Sequence, residues 1–486
     1  MVVPIYPTNS PEECEWVAGN SEARLVVCED AEQAAKIEQV RANLPHLEHV
    51  VTIEADLDAL RERGRARDPG EVLARAQAVR PEDSYTFIYT SGTTGPPKGC
   101  VLSHGNYRAI MDSVVEQGIL GQDPENDVVY LYLPLAHAYA LLIQLLCCDM
   151  GVPLAYFSGD PQKIIPEFSE VRPTYLPSVP RIFEKLFTLV AGQADPDTIK
   201  QATSVGMQVR ELERTGQPVP DALRAAYDQF DETLFEKVRA IFGGRVRQAT
   251  SGAAPIAKEI LEFFYAAGVP VFEGYGMTET STAATGQTPD DFRFGSVGKP
   301  LPGTDVSIAD DGEILLKGPN IFGGYYKMED ASFGAVVDGW LHTGDLGHLD
   351  DDGYLFITGR KKDIIITAGG KNLTPANLEN DLKQSRWISQ AVMYGDRRPY
   401  PVALITLDEE ELAQAGIDRD SDEARALVQE ALDRANEKYA QVERIKKFAI
   451  LDHDLSQETG ELTPTLKVKR NVVYEKYADL FASLYG

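Results

Sequence analysis

Strand-like and helical segments alternate between residues 84 and 273, and this alternation constrains the fold more than any other feature. Residues 84–90 show the apolar and aromatic alternation of a β-strand. Ser103 is placed as the N-cap of a helix that runs through Ile110 and Val114. Further strand-like runs are 127–133, 152–157, 245–250 and 269–273, and helical patterns are 179–190, 221–242 and 256–267. Such alternation predicts an α/β fold with a mainly parallel, helix-covered sheet.

The pattern changes near residue 305, where short apolar runs are separated by turns. Asp-Gly pairs occur at Gly312, Gly339 and Gly353, and such pairs between apolar runs favour hairpins. We therefore expect a small β-rich subdomain in this part of the chain.

A separate alternation of strands and helices fills residues 363–486. It predicts a strand at 363–367 and then a helix with Thr374 as N-cap and Pro375 in the first position. Because 486 residues exceed what one compact core holds, we predict two domains, a large one at 1–361 and a smaller, mobile α+β one at 362–486.

The net charge limits the partners of this chain. Asp and Glu number 75 against 47 Lys and Arg, which gives a formal charge of −28. A field of this sign repels nucleic acid and anionic membrane surfaces, so we expect no nucleic-acid partner. A nucleotide would bind only through local cations and backbone N–H groups.

Cysteine usage and hydropathy indicate a cytoplasmic protein. The five cysteines form no C-x-x-C pair and are interpreted as buried, reduced thiols. The start carries no signal-peptide pattern. The most apolar stretch, 131–157, is interrupted by polar residues and Pro153, so we expect a buried helix and strand and no transmembrane segment. Peripheral contact with a membrane and the oligomeric state are left open.

A loop rich in Ser, Thr and Gly joins the strand at 84–90 to a short strand near residues 100–102. Hydroxyls and glycines that end in one lysine suit a loop whose N–H and O–H groups surround phosphate oxygens. The Walker spacing is absent, and the alternative is a flexible linker. The predicted phosphate-binding residues are Thr90, Ser91, Gly92, Thr93, Thr94, Gly95 and Lys98.

Two further strings suit a nucleotide site. Tyr275 offers a flat face to adenine, Thr278 a hydroxyl to a phosphate, and Glu279 a hard oxygen ligand to Mg²⁺. The alternative is a β-turn with an exposed acid. Neighbouring small residues let the backbone approach the nucleotide, and the predicted contacts there are Gly252, Ala253, Ala254, Glu273, Gly274, Gly276 and Met277.

Together these strings resemble the signature of the adenylate-forming superfamily, which includes acyl-CoA synthetases, peptide-synthetase adenylation domains and luciferases. The resemblance implies that residues 1–361 are the AMP-binding domain. It also implies that Asp345 and Arg360 hold the ribose. His137, which alone would be interpreted as a core residue, is then the gate of the acyl channel.

The same resemblance implies a moving C-terminal domain. Lys362 occupies the hinge position, and Lys467 aligns with the lysine that reaches into the adenylation site. A register error would exchange Lys467 for Lys469. The turn at Gly369 and Gly370 is implied to face the incoming thiol, whereas Lys361 is interpreted as a solvated turn residue.

Two features are similar to the long-chain fatty acyl-CoA synthetases. Segments 178–185 and 369–372 resemble theirs, and Gly276 stands where acetate-activating enzymes carry a tryptophan that closes the acyl pocket. Small residues that would line an open tunnel are Ala253, Ala254, Ala283, Ala284 and Gly286, although small residues also serve close packing. The family normally begins before Val2, so we expect this chain to lack N-terminal strands.

The resemblance implies an ATP-dependent long-chain fatty acid–CoA ligase that uses Mg²⁺. Fatty acid and ATP would give acyl-AMP and pyrophosphate, and acyl-AMP and CoA would give acyl-CoA and AMP. Two alternatives remain, an enzyme that loads an acyl group onto a carrier protein, and an inactive, shortened protein with a binding role.

Overall fold

The computed structural model describes residues 1–90, 96–121, 123–191, 195–463 and 467–486. The α-helices are α1 (Pro11–Asn20), α2 (Ala31–Val40), α3 (Ile53–Arg65), α4 (Gly70–Ala78), α5 (His104–Gln117), α6 (Ala138–Met150), α7 (Ile164–Val171), α8 (Pro180–Ala191), α9 (Pro196–Arg214), α10 (Asp221–Phe230), α11 (Glu236–Ile241), α12 (Lys258–Ala266), α13 (Glu329–Ala335), α14 (Pro375–Leu382), α15 (Glu409–Ala415), α16 (Asp422–Glu437), α17 (Arg470–Lys476) and α18 (Ala478–Ser483). A π-helical turn, Asp231–Phe235, joins α10 to α11, and 3₁₀ turns lie at Arg41–Asn43, Pro161–Lys163 and Thr278–Thr280.

The strands are β1 (Leu25–Cys28), β2 (His49–Thr52), β3 (Ser84–Thr90), β4 (Lys98–Ser103), β5 (Val129–Leu131), β6 (Leu154–Tyr156), β7 (Tyr175–Ser178), β8 (Gln248–Ser251), β9 (Val271–Glu273), β10 (Thr285–Gly286), β11 (Lys299–Pro300), β12 (Asp305–Ile308), β13 (Glu313–Lys317), β14 (Val336–Val337), β15 (Trp340–Leu349), β16 (Leu355–Arg360), β17 (Ile365–Ile366), β18 (Asn372–Leu373), β19 (Ile388–Tyr394), β20 (Val402–Leu407) and β21 (Lys447–Ile450).

A five-stranded parallel sheet, in the order β6-β5-β7-β8-β9, is built from strands between residues 129 and 273. Val129 and Leu131 pack with α5 and α6 on one face, and Tyr130 packs with α7, α8 and α12 on the other. The predicted helix-covered parallel sheet is therefore confirmed. Strand β7 is missing from the sequence prediction because it contains Pro177, a residue that usually argues against a central strand.

The predicted β-rich subdomain is an antiparallel sheet of β12 to β16. Gly312 and Gly353 adopt left-handed φ angles of +85° at its hairpin turns, as the Asp-Gly pairs predict. The hairpin of β15 and β16 places Asp345 directly opposite Arg360. Two residues separated by fifteen positions are thus brought together by strand register alone.

The C-terminal part is built on the sheet β19-β20-β21, with α14 and α16 on one face and α17 and α18 on the other. The strand predicted at 363–367 is shorter than expected. Only Ile365–Ile366 is extended, and it pairs with β18 across a turn that contains Gly369 and Gly370. The predicted helix after Thr374 is present as α14, with Pro375 in its first turn.

The hairpin of β3 and β4 flanks the predicted phosphate loop, with Thr90 opposite Lys98. Ser91, Gly92, Thr93, Thr94 and Gly95 lie outside the described residues. Of the five cysteines, Cys148 is exposed and the other four are buried, so the burial expected for all five is wrong at that position. Within the described ranges, no helix has both the length and the apolar character that a membrane crossing requires.

The turn after β9 is closely packed around Gly276. A Cβ atom there would overlap the carbonyl oxygen of Thr282 and lie 2.5 Å from the Cα of Ala283. Neither Gly274 nor Gly276 has a left-handed φ, so the contact, and not the backbone angle, requires glycine at 276. This glycine is explained by local packing and does not by itself indicate an open acyl tunnel.

Substitution of Gly276 by alanine should destabilise the fold, by about 1–3 kcal/mol if the loop shifts to accept the methyl group. Gly274→Ala is the matched control, because a Cβ there would lie 3.5 Å from its nearest neighbour, the carbonyl oxygen of Thr285. Unfolding free energies from urea denaturation compare the two variants. Equal stabilities for both would show that the turn around Gly276 is looser than described.

Glu273 ends β9 at the carboxyl edge of the sheet and is only 7% exposed. Burial raises the pKa of its carboxyl from 4.5 to about 8, with a long hydrogen bond from the backbone N–H of Ile256, 3.5 Å, acting the other way. Glu273 is therefore mainly a neutral carboxylic acid at pH 7.

The raised pKa of Glu273 makes stability depend on pH. The folded state holds this proton more tightly than the unfolded chain, so the stabilisation is complete below pH 4.5 and is lost as the pH rises towards 8. Glu273→Gln, which mimics the neutral acid, should become more stable than the wild type across that window, by roughly 2–4 kcal/mol. Thermal melts between pH 5 and 8 test this, with the exposed Glu329→Gln as control. A difference that does not change with pH would contradict it.

Candidate active site

Asp345 is the centre of a buried hydrogen-bond network. The hydroxyl of Tyr275 donates to its Oδ2 at 2.7 Å, and Nε of Arg360 donates to its Oδ1 at 2.7 Å. Its own backbone N–H donates to the hydroxyl of Thr343 at 3.0 Å. The network joins the turn after β9 to the hairpin of β15 and β16. The structure therefore brings together three of the residues that the sequence assigns to the nucleoside.

The chemistry of this network suits a nucleoside. Each carboxylate oxygen accepts more than one hydrogen bond, so Asp345 can still receive two vicinal hydroxyls. Burial, the charge of Asp345 and the hydrogen bond to it raise the pKa of Tyr275 well above its usual range, which keeps the phenol a donor. Burial works to lower the pKa of Arg360, but the charge of Asp345 and the hydrogen bond to it, together with the charge of Asp363, raise it overall.

Glu279 lies in the short 3₁₀ turn that begins at Thr278 and is 7% exposed. Its Oε1 accepts a hydrogen bond of 2.7 Å from the hydroxyl of Tyr325, and its carbonyl accepts from the N–H of Phe322 at 2.9 Å. Thr278 is half-buried beside it.

The donor set around Glu279 fits magnesium only together with a phosphate ligand. Among the described residues, no three His, Cys, Asp or Glu side chains gather into a metal cluster. Mg²⁺ commonly binds through one or two carboxylates plus substrate phosphates and water, so a single carboxylate at this place suits it.

Lys98, at the start of β4, is the cation next to the predicted phosphate loop. Its Nζ lies 4.9 Å from the centroid of the Tyr325 ring. The hydroxyl of the same tyrosine donates to Glu279. Tyr325 is absent from the sequence prediction. The only sequence signal for Tyr325 was its position directly after the pair Gly323 and Gly324. This pattern is too common to indicate a site residue.

Lys467 reaches the site from the C-terminal part of the chain. Its side chain keeps contact with solvent. Desolvation by the surrounding protein and then the charge of Arg360 nevertheless lower its pKa from 10.5, while Asp345 and Glu279 act in the opposite direction. The ammonium group therefore lies within the electrostatic reach of both the nucleoside network and the acidic turn. The catalytic role of Lys467, in preference to Lys469, stays a prediction.

His137 caps α6, and its Nδ1 accepts a hydrogen bond of 3.2 Å from the N–H of Tyr139. Burial, and then the positive charge of Lys467, lower its pKa from 6.5 to about 4. His137 is consequently a neutral imidazole that belongs to the same electrostatic neighbourhood as Lys467.

Backbone hydrogen bonds join the residues that follow β8 and β9 to the ends of the neighbouring strands. Gly252 donates its N–H to the carbonyl of Ser178 at 3.3 Å, and Gly274 donates to that of Ser251 at 3.0 Å. Ala253 has a left-handed φ of +69°, a conformation that costs an alanine about 1–3 kcal/mol. Ala253 and Ala254 are exposed, so their side chains form no part of the buried core.

Within the described part of the chain, three predicted residues form no hydrogen bond or ion pair with this group. Lys362 is exposed between β16 and β17, and space around Gly369 and Gly370 is open, with no atom within 3.8 Å of a Cβ built at either. Lys361, interpreted as a solvated turn residue, binds Asp311 at 2.5 Å. The roles of the hinge and of the glycine turn stay predictions.

Comparison with known proteins identifies the family. Residues 1–326 match the model of the AMP-binding enzyme, and residues 362–486 match that of the AMP-binding enzyme C-terminal domain. The chain is 39% identical to the long-chain-fatty-acid–CoA ligase FadD15 of Mycobacterium bovis, over 100% of this chain and 84% of that protein. It is 32% identical to the long-chain-fatty-acid–CoA ligase 6 of Rattus norvegicus, over 100% of this chain and 75% of that protein.

Among solved structures, the O-succinylbenzoate CoA synthetase MenE of Bacillus subtilis, in complex with ATP and a magnesium ion, has the same fold. It superposes with a TM-score of 0.68 at 22% identity, over 96% of this chain and 83% of that one. The adenylate-forming resemblance is thereby confirmed, and the chain belongs to the AMP-binding enzyme family.

Proposed function

We propose that this chain is an ATP-dependent long-chain fatty acid–CoA ligase. In the first half-reaction a fatty carboxylate attacks the α-phosphorus of ATP, and pyrophosphate leaves. In the second, the thiol of CoA attacks the acyl carbon of acyl-AMP, a proton and AMP leave, and the thioester remains. The relatives named above, both long-chain-fatty-acid–CoA ligases, support the acyl and CoA specificity.

One observation carries this proposal. The ammonium group of Lys467, from the C-terminal part, lies within electrostatic range of three charged side chains of the large domain. They are Arg360, Asp345 and Glu279. A mobile cation beside a nucleoside network and a metal-binding acid is what an attack on the α-phosphorus requires, because negative charge develops on the phosphoryl oxygens.

Each group has a distinct task in the adenylation step. Tyr275 supplies a flat apolar face for adenine, and Asp345, fixed by Arg360, orients the ribose hydroxyls. Lys467 stabilises the negative charge that develops at the phosphoryl group. Lys98 and Thr278, from the large domain, stabilise the same charge. Glu279 would hold Mg²⁺, which supplies charge neutralisation on the phosphates. The neutral imidazole of His137 borders the acyl entrance without adding a second positive charge.

Ion pairs between the two parts hold the C-terminal part in the position that delivers Lys467. Arg181 and Lys185 of α8 bind Asp408 and Glu410, each at 3.2 Å. Exposed pairs of this kind contribute about 0–1 kcal/mol each, so they bias the arrangement without locking it. A rotation about Lys362 then withdraws Lys467 and brings the turn at Gly369 to the thiol site.

The first test of this function is acid-dependent exchange of radiolabelled pyrophosphate into ATP. We expect exchange with palmitate and Mg²⁺, and formation of palmitoyl-CoA and AMP when CoA is added. A folded protein that exchanges no label with acids of any chain length would contradict the proposal. Exchange without CoA-dependent product would instead favour transfer to a carrier protein.

Lys467→Ala should lower the exchange rate at least ~100-fold, because a preorganised cation at the transition state is worth about 3 kcal/mol or more. Thioester formation from supplied palmitoyl-AMP should largely survive, since that step proceeds with Lys467 withdrawn. Lys469→Ala is the matched control and should retain exchange. Equal loss of both half-reactions in Lys467→Ala would refute the domain rotation.

A further inference from the structure

The segment at 323–326 runs antiparallel to the beginning of β4 and is joined to it by backbone hydrogen bonds. Gly323 donates its N–H to the carbonyl of Val101 at 3.1 Å, and Val101 donates back to the carbonyl of Gly324 at 2.9 Å. Tyr326 donates to the carbonyl of Gly99 at 2.8 Å. Tyr325 is thereby fixed opposite Cys100, next to the strand that begins at Lys98.

From this position one side chain contacts both charged groups predicted for the polyphosphate. The Tyr325 hydroxyl donates to Oε1 of Glu279 at 2.7 Å. The face of its ring meets Nζ of Lys98 at 4.9 Å from the centroid, within the range of a cation–π contact. In the described part of the chain, neither Lys98 nor Glu279 forms an ion pair within 4.0 Å with any other residue.

The hydroxyl and the ring have different consequences. The hydrogen bond at Oε1 constrains the orientation of the Glu279 carboxylate, whose second neighbour is the thiol of Cys100. A metal ion would then bind on the side of the other oxygen. The ring contacts the ammonium group of Lys98 by its face, while its hydroxyl contacts the opposite charge of Glu279. Without the ring, Lys98 and Glu279 would form a direct ion pair. Lys98 would then no longer be free to bind a phosphate, and Glu279 would no longer be free to bind the metal ion on that phosphate.

Resting on the proposed function, we propose that Tyr325 is a positioning residue. It orients the Glu279 carboxylate towards Mg²⁺ through its hydroxyl, and it keeps Lys98 apart from that carboxylate through its ring. It touches neither substrate nor metal and acts only through these two side chains.

A purely structural role is the competing explanation, because the ring of Tyr325 also packs edge-on against Phe322 at 4.9 Å between centroids. The two explanations differ in one measurable quantity. A packing residue affects the melting temperature alone, whereas a positioning residue changes how strongly Mg²⁺ improves the binding of ATP.

The test compares Tyr325→Phe, Tyr325→Leu and the adjacent control Tyr326→Phe. The ring of Tyr326 packs at a tilt against that of Phe87, and its hydroxyl contacts neither Glu279 nor Lys98 among the described residues. Titration calorimetry gives the Kd of ATP with Mg²⁺ and with EDTA, pyrophosphate exchange gives kcat, and melting temperatures monitor folding.

Tyr325→Phe should weaken ATP binding about ten-fold with Mg²⁺ and less than two-fold with EDTA, since only a hydrogen bond to a charged group is lost. Tyr325→Leu should weaken binding in both conditions, because Lys98 is then free to pair with Glu279. Tyr326→Phe should match the wild type in every measurement.

A Tyr325→Phe protein with wild-type Kd values in both buffers would overturn this inference, whatever its melting temperature. So would an equal weakening with Mg²⁺ and EDTA. If Tyr325→Leu fails to fold, the phenylalanine variant alone decides. Failure of the wild type to exchange pyrophosphate would instead contradict the proposed function, and that outcome is independent of the Tyr325 variants.

Discussion

The buried carboxylate of Asp345 is the interaction on which the rest of the site depends. A charged group with 6% exposure is costly unless it is fully hydrogen-bonded, and here Tyr275 and Arg360 occupy one oxygen each. Those partners come from different elements, so the carboxylate ties the turn after β9 to the hairpin of β15 and β16. Removing Asp345 would leave Arg360 without its counter-ion, two residues before the predicted hinge.

The acidic turn beside this network is held in an unfavourable backbone conformation. Ser281 and Thr282 both have positive φ, +52° and +110°, which non-glycine residues rarely adopt. Asn320 compensates, because its side-chain amide donates to the carbonyl of Ala283 at 2.9 Å and its own carbonyl accepts from the hydroxyl of Ser281 at 2.8 Å. Local strain of this kind persists where surrounding contacts over-determine the geometry, as they do next to Glu279.

Much of the fold could be predicted from sequence because its signals are local. Alternating apolar runs predict β5, β6, β8 and β9, and Asp-Gly pairs predict the hairpins that bring Asp345 opposite Arg360. The exception among the central strands is β7, where Pro177 conceals a strand that tertiary contacts impose.

The site was predictable only where a residue type has specific chemistry. Tyr275 and Glu279 were predicted as site residues because a flat ring and a hard carboxylate suit adenine and Mg²⁺, and these roles stay predictions. The contact of Tyr325 with Glu279 could not be predicted, since the two residues lie 46 positions apart and no local pattern joins them. For the same reason the pairing of α8 with Asp408, across 227 positions, becomes visible only in the folded chain. The glycine at 276 is explained by a contact with Thr282, which sequence alone does not show.

The most direct measurement is a crystal structure of the protein with a non-hydrolysable palmitoyl-adenylate analogue. We expect adenine on the ring of Tyr275, both ribose hydroxyls on Asp345, and the amine of Lys467 at the group that replaces the phosphate. An analogue that binds elsewhere, or that leaves Asp345 bonded only to Tyr275 and Arg360, would contradict it.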